Sequence, residues 1–386
     1  MSRGRIHAAP TVVYGDGALQ QLPRVVADLG ADRVLLLTGK ASFAASGAAE
    51  VLPALEAVAD VCRWAAFDPN PRAEDLAAGL ALAGGHRPSA IVAVGGGSVL
   101  DMAKLLAGYH DVDPAEAAAA VAADRPPAAA RAAALVLAPT TSGSGAEATH
   151  FAVCYEGQRK HSVAGPALRA DAILLDPSLT VSGSPAQRAT SAIDAICQAA
   201  ESRWAVKGTA RSRRWAQRAL GLLLGAVEPF VLDADPQAAR AMQLGSHLAG
   251  RAIDVSTTTA AHALSYALTQ RFGVPHGEAV ALTFGCFLAD HAAAAPGDLQ
   301  DRVDPAAHAA AMSALLQAFG AVDGQDAAAV FTRLQQRLGL ATSLAEVGVR
   351  PDDLDGLARA VNIQRLGNNP RRYDTAGLVD VLARAL

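Results

Sequence analysis

Three apolar runs, each ending in a loop of small residues, decide what this chain can fold into. Arg33-Val-Leu-Leu-Leu-Thr38 stops at Gly39-Lys40, Ser89-Ala-Ile-Val-Ala-Val94 stops at Gly95-Gly-Gly-Ser98, and Ala134-Leu-Val-Leu-Ala138 stops at Pro139-Thr-Thr-Ser-Gly-Ser-Gly145. A strand with one wet face alternates apolar and polar residues; a strand covered on both faces does not. Helical spacing follows each run, so the pattern predicts a parallel sheet with crossover helices. Ligands in such sheets bind beyond the carboxyl ends of the strands, so the three loops are expected to line one crevice. Leu174-Leu-Asp-Pro177 closes this half.

After Pro185 the periodicity changes. Residues 186–205, 209–234, 236–252, 257–271 and 276–294 show helical spacing, and 305–319, 325–338, 351–362 and 374–386 follow in the same style. We therefore place an α/β domain over 1–180 and an all-α domain over 181–386. The alanine-rich stretch 113–135 is broken by Asp, Glu, Arg and Pro and reads as a surface helix and loop.

Composition narrows the function classes. At 386 residues and 51% hydrophobic, the chain can bury two cores. A net charge of −4 gives no basic footprint for nucleic acid. No uncharged apolar run reaches the ~18 residues of a membrane span, and Met-Ser-Arg-Gly-Arg-Ile at the start carries no apolar signal core. Cys62, Cys154, Cys197 and Cys286 have no paired spacing and read as reduced thiols, so a cytoplasmic setting is expected. Exposed apolar helices leave a homodimer open. Lysine is confined to positions 40, 104, 160 and 207 against 29 arginines among the 33 basic residues, so the retained ammonium groups draw notice.

Gly95-Gly-Gly-Ser-Val-Leu-Asp101-Met-Ala-Lys104 follows a strand and opens a helix. Glycines let backbone N–H groups approach an anion, and the helix start adds partial positive charge, which suits a pyrophosphate. The spacing is not GxGxxG. Asp101 could fix the loop, receive a carboxamide, or cap the helix. Pro139-Thr-Thr-Ser-Gly-Ser-Gly-Ala-Glu147 offers hydroxyls to a nucleotide, or is an ordinary turn before a capped helix.

Asp194-Ala-Ile-Cys-Gln198 sits on an apolar helical stretch, and His262 and His276 follow. A carboxylate and two imidazoles suit Fe2+ or Zn2+. The polar residue four after the acid is a glutamine, a poor ligand, so Gln198 is expected to be a weak fourth ligand or to hold a water.

Taken in order, the Gly-Gly-Gly-Ser-Val-Leu-Asp-Met-Ala-Lys and Pro-Thr-Thr-Ser-Gly-Ser-Gly-Ala-Glu loops, Asp194-x₃-Gln198, and His262 with Pro275-His276-Gly277 resemble the iron-containing (group III) alcohol dehydrogenases over nearly the whole chain. The resemblance implies a dinucleotide-binding domain, a helical domain, and a cleft between them holding metal and nicotinamide. Within that family, Glu147-Ala-Thr-His-Phe-Ala-Val153, Lys160-His-Ser-Val-Ala164, Asp194-Ala-Ile-Cys-Gln-Ala-Ala-Glu-Ser202 with Trp204, and Arg365-Leu-Gly-Asn368-Asn-Pro-Arg371 look like the phosphonoacetaldehyde reductases. These reduce an aldehyde to 2-hydroxyethylphosphonate.

The resemblance maps cofactor binding to Gly39, Asn70, Gly96, Gly97, Ser98 and Asp101, and to Thr140, Thr141, Ser144, Thr149 and Lys160. Relatives specific for NAD carry an aspartate where this chain has Gly39. Its absence removes repulsion of a 2′-phosphate, and Lys40 could attract one, so NADPH use is expected, with NADH as the other candidate. Many relatives place a histidine where this chain has Tyr266, which could donate a proton or pack against the cofactor. For a phosphonate, the candidate cations are His150, Arg203, Arg365 and Arg371, with His161 also possible and Asn368 and Asn369 as further donors. Each arginine could equally be a surface residue.

Three function classes follow. The first is reduction of phosphonoacetaldehyde or of another small aldehyde such as lactaldehyde or a semialdehyde. The second is a carbocycle-forming synthase of the same fold, which would show no net NAD(P)H consumption. The third is an inactive cofactor-binding protein, motivated by Gln198 and Tyr266.

Overall fold

Alternate residues of the buried strands feed two separate cores. In the computed structural model, which describes residues 9–128, 130–157, 159–361 and 366–386, the strands are β1 (Thr11–Tyr14), β2 (Arg33–Thr38), β3 (Asp60–Trp64), β4 (Ala90–Gly95), β5 (Ala134–Pro139), β6 (Phe151–Glu156), β7 (Arg159–Ala164) and β8 (Ala172–Leu175). Six form one parallel sheet in the order β1-β8-β5-β4-β2-β3. Leu35, Leu37, Ile91, Ala93, Leu135 and Leu137 face one core, which α4 (Ala73–His86) and α5 (Gly97–Tyr109) complete. Leu36, Val34, Val92, Val94 and Val136 face the other. There α1 (Leu22–Asp28), α2 (Ser42–Ala45) and α3 (Leu52–Glu56) supply Leu22, Val26, Phe43 and Leu55. Burial on both faces is why the central runs are uninterrupted. The expected parallel sheet is present, and within 113–135 the expected helix is α6 (Pro114–Ala122), while Ala134 and Leu135 already belong to β5.

The same logic explains what the sequence hid. Edge strands β1 and β3 are largely exposed, so they carry no continuous apolar run. β6 and β7 pair antiparallel, and Gly157, just after β6, takes φ +55°. Their inward residues alternate with outward ones, and Lys160 and His161 fall inside the pattern. The hairpin is pinned by Lys104. That ammonium is fully buried and donates to Thr149 Oγ1 at 2.7 Å and to the Phe151 carbonyl at 2.9 Å, with Asp101 Oδ1 at 3.8 Å.

The remaining helices are α7 (Pro185–Trp204), α8 (Ala210–Asp233), α9 (Pro236–Ser256), α10 (Ala260–Phe272), α11 (His276–Ala292), α12 (Pro305–Phe319), α13 (Gly324–Arg337), α14 (Leu354–Arg359) and a C-terminal helix, Thr375–Arg384. Their starts are chemically marked. Ser184 and Thr209 form capping boxes with Gln187 and Ser212, and Asp235, Asp304 and Asp323 cap the starts of α9, α12 and α13. The expected helix over 257–271 starts later, at Ala260, because Thr257 takes φ +54° and Thr259, at the cap position, is not helical. Chain contacts group residues 1–141 with 145–183 as one compact unit, and 142–144 with 184–386 as the other. Among the described residues no helix is long and apolar enough to cross a membrane.

Two histidines are locked neutral in the helical unit. His291 is buried, lies flat on Trp204 with ring centroids 4.6 Å apart, and bonds the Phe287 carbonyl through Nδ1 at 2.5 Å. His308 bonds the His291 carbonyl at 2.9 Å. Burial drives the His291 pKa down from 6.5 to about 4, and burial also lowers that of His308. The unfolded chain protonates His291 below pH 6.5, while the folded chain refuses that proton until about pH 4. The contribution of neutral His291 to stability is therefore expected to be complete above pH 6.5 and to be lost between pH 6.5 and 4. Melting curves across that window should show the decline, and it should be shallower in His291→Phe.

Candidate metal centre and nucleotide loops

Helix α7 carries the first half of the centre on one stripe. Asp194 and Gln198 are one turn apart, and Glu201 lies a turn further along the same face. Gln198 Nε2 donates to Asp194 Oδ2 at 2.9 Å, which turns its carbonyl oxygen elsewhere. That Oε1 is buried and has no hydrogen-bond partner among the described residues. A buried acceptor left unmatched costs about 1–3 kcal/mol, so its orientation asks for a cation or a bound water.

Helix α10 delivers His262 in its first turn. Nε2 lies 3.2 Å from Asp194 Oδ1, and Nδ1 makes a short hydrogen bond to Glu201 Oε2. His276 opens α11 with Nδ1 3.3 Å from Ser265 Oγ, which in turn donates to the His262 carbonyl at 2.8 Å. One ligand atom each from Asp194, His262 and His276 lies within 4.8 Å of the others. Tyr266 lies parallel to the His276 ring, with centroids 5.7 Å apart and planes within 2°.

Electrostatics fit a cation. Burial alone would raise the Asp194 carboxyl, but the His262 hydrogen bond, the nearby His276 and Gln198 hold it below the ordinary carboxylate range. Burial opposes charge on His262, yet Glu201 and Asp194 at its two nitrogens raise its pKa to about 10. One carboxylate, two imidazoles and an unmatched amide oxygen match a metal with N and O ligands. Gly277 makes room: a Cβ there would lie 2.1 Å from the Thr190 carbonyl oxygen and 2.9 Å from Asp194 Cβ.

In the α/β unit the glycine loop follows β4 and opens α5. Gly96 precedes α5 without any side-chain cap, and Gly96, Gly97 and Ser98 are half-buried. Asn70 takes φ +65° and its N–H donates to Ser98 Oγ at 3.0 Å, tying the Asp68–Pro71 turn to this loop. Thr140 N donates to the Gly95 carbonyl at 3.0 Å, and Thr141 follows beside Gly96. Asp101 does not cap the helix. It lies inside α5 and accepts from Val153 N at 3.1 Å. Thr149 is buried, and its hydroxyl is taken up by Lys104. Lys160 pairs across the hairpin with Tyr155. Gly39 ends β2 with Ser42 Oγ where a Cβ would point, and exposed Lys40 bonds Asp68 at 2.7 Å. Ser144 belongs to a segment packed on the helical unit, where Gly143 meets Ser191 and receives a bond from Ser246 Oγ at 3.0 Å.

Several expected anion donors are committed elsewhere. Arg203 is about half a helical turn away from Asp194 around α7 and donates to the Arg213 carbonyl at 3.2 Å. Arg371 bonds the Asp290 carbonyl at 3.1 Å and lies over Tyr373, in a groove it shares with Arg384 and Asp290. Asn368 spends its amide on Ser256 O, Thr257 Oγ1 and Thr258 O, and its oxygen on Lys207 N. Asn369 donates to the Arg371 carbonyl. Buried His161 faces Asp124 and Glu156. His150 stands edge-on to Phe151, and Arg365 lies outside the described residues. Glu201 was not singled out by sequence. Its signal was its place seven residues after Asp194, on the same stripe.

Residues 9–177 match the family described as iron-containing alcohol dehydrogenase, and 188–386 match the C-terminal part of the Fe-containing alcohol dehydrogenase family. The chain belongs to this family and is an oxidoreductase. It is 36% identical over 300 residues to the phosphonoacetaldehyde reductase of Streptomyces viridochromogenes, covering 76% of this chain and 75% of that one. It is 25% identical over 385 residues to the lactaldehyde reductase of Escherichia coli, covering 96% of each. The crystal structure of sulfoacetaldehyde reductase from Bifidobacterium kashiwanohense in complex with NAD+ shares the fold, with a TM-score of 0.87 at 23% identity over 99% of this chain and 98% of that one.

Proposed function

We propose that this chain reduces a small aldehyde to a primary alcohol with a nicotinamide cofactor, and that its substrate is phosphonoacetaldehyde, giving 2-hydroxyethylphosphonate. The observation that carries the reaction class is the convergence of Asp194, His262 and His276 beside the unmatched Gln198 oxygen. The substrate rests on similarity to the Streptomyces reductase. Residues 1–180 bind the nucleotide, with its pyrophosphate at Gly96–Ser98 on the start of α5, and residues 181–386 hold the metal. Bound there, Fe2+ or Zn2+ would supply Lewis-acid polarisation of the carbonyl. Asp194 and the two histidines fix its position, Gln198 offers a neutral oxygen, and Tyr266 braces the His276 ring.

Arg203 Nη1 and Arg371 Nη1 each donate to a backbone carbonyl, and we assign the phosphonate to His150, with Arg365 as a further candidate. The test is NAD(P)H oxidation with phosphonoacetaldehyde against lactaldehyde and succinic semialdehyde. A kcat/KM for phosphonoacetaldehyde at least as high as for the others supports the reading. A higher value for lactaldehyde or the semialdehyde assigns a different small aldehyde, and turnover without net NAD(P)H consumption would indicate a synthase. The same assay checks the cofactor: Gly39 and Lys40 predict that NADPH is accepted, and strict NADH use refutes that.

Gln198→His should hold metal more tightly than the native chain, since imidazole replaces a neutral amide oxygen. Metal content after dialysis against chelator measures this, and equal retention would show that Gln198 does not limit the site.

A further inference from the structure

Glu201 is a fully buried carboxylate that the reduction described above does not use. Four donors meet its two oxygens: Thr259 N at 3.2 Å, Thr259 Oγ1 at 2.8 Å, Ala261 N at 3.1 Å, and His262 Nδ1. It thus caps the start of α10 from a different helix. A cap alone does not explain it. Thr259 already occupies the cap position and could do that work locally, yet its hydroxyl donates to Glu201 instead. Trp204 Nε1 donates to that same hydroxyl at 2.8 Å, aiming its proton at the carboxylate. Burying a charge for a helix cap costs more than a neutral side chain would.

The fourth donor accounts for the charge. With Nδ1–H directed at Glu201, the other ring nitrogen, Nε2, faces Asp194. We propose that Glu201 is a positioning residue of the metal centre: it fixes the tautomer and ring plane of His262 so that Nε2 ligates, and its negative charge makes that nitrogen a stronger donor. The proposal rests on the metal reading above. The anion behind His262 would offset the weak Gln198 ligand. Partners of this kind typically change metal affinity 10–100-fold.

The experiment is Zn2+ binding to the metal-free full chain by competition with a chromophoric chelator, for the native protein and for Glu201→Gln. The expected result is a Kd about 10- to 100-fold weaker in the variant. A folded Glu201→Gln with a Kd within twofold of native overturns the proposal while leaving the metal reading intact. If the native chain binds no Zn2+, the metal reading fails and the proposal with it. If the variant does not fold, ¹⁵N-histidine NMR of the Zn2+-loaded native chain decides. Protonated Nδ1 with metal on Nε2 of His262 supports the proposal, and metal on Nδ1 overturns it.

Discussion

Asp194→Asn is expected to lower kcat/KM for aldehyde reduction on the order of a thousandfold, a barrier increase of about 4 kcal/mol. The change keeps the shape of the side chain and removes the one anionic ligand among Asp194, His262, His276 and Gln198. An amide in this position faces a donor, Gln198 Nε2, on one side and His262 on the other. With its oxygen turned to Gln198, its NH2 points at His262 Nε2 and competes with an ion for that nitrogen's lone pair. Steady-state kinetics and metal analysis of the purified variant check this together. Native-like turnover at native-like metal content would place the chemistry somewhere other than this centre.

Gly277→Ala should cost nearly as much without touching a ligand. A Cβ at that position would sit 2.1 Å from a backbone carbonyl oxygen, that of Thr190, which cannot swing aside as a side chain would. The start of α11 must back away from α7 by on the order of 1 Å, carrying His276 with it. Ligand distances of about 2.0–2.2 Å do not tolerate such a shift. We expect metal content well below native and activity lowered by about a hundredfold. Gly221→Ala provides the contrast: it lies within α8, and nothing stands within 4 Å of its would-be Cβ. That variant should retain activity and gain about 0.5–1 kcal/mol of stability.

The legible part of this molecule was the part whose physics is local. Central strands such as Arg33–Thr38 declare themselves because both faces are buried, whereas the edge strand Thr11–Tyr14 faces solvent and looks like loop. The metal-ligand set was legible because a carboxylate and two histidines on apolar helices are unusual without a purpose. Glu201 was not, because a glutamate in a helix is normally a solvated residue, and only the fold brings Thr259, Ala261 and His262 to it. The bonds of Asn368 and Arg371 were not legible for a related reason. Asn368 is drawn in by the carbonyls of Ser256 and Thr258, and Arg371 by that of Asp290. Unmet backbone acceptors of this kind leave no trace in sequence.

Asp194, His262 and His276 come from three helices, α7, α10 and α11, of a single folding unit. An ion bound among them is therefore a cross-link as well as a reagent. The unfolded chain scatters the three side chains, so occupancy and folding draw on the same free energy. At a free ion concentration a hundred times Kd, that linkage adds about 2.7 kcal/mol to the folded state. Stripping the protein with chelator should lower its melting temperature, and titrating metal back should raise it logarithmically.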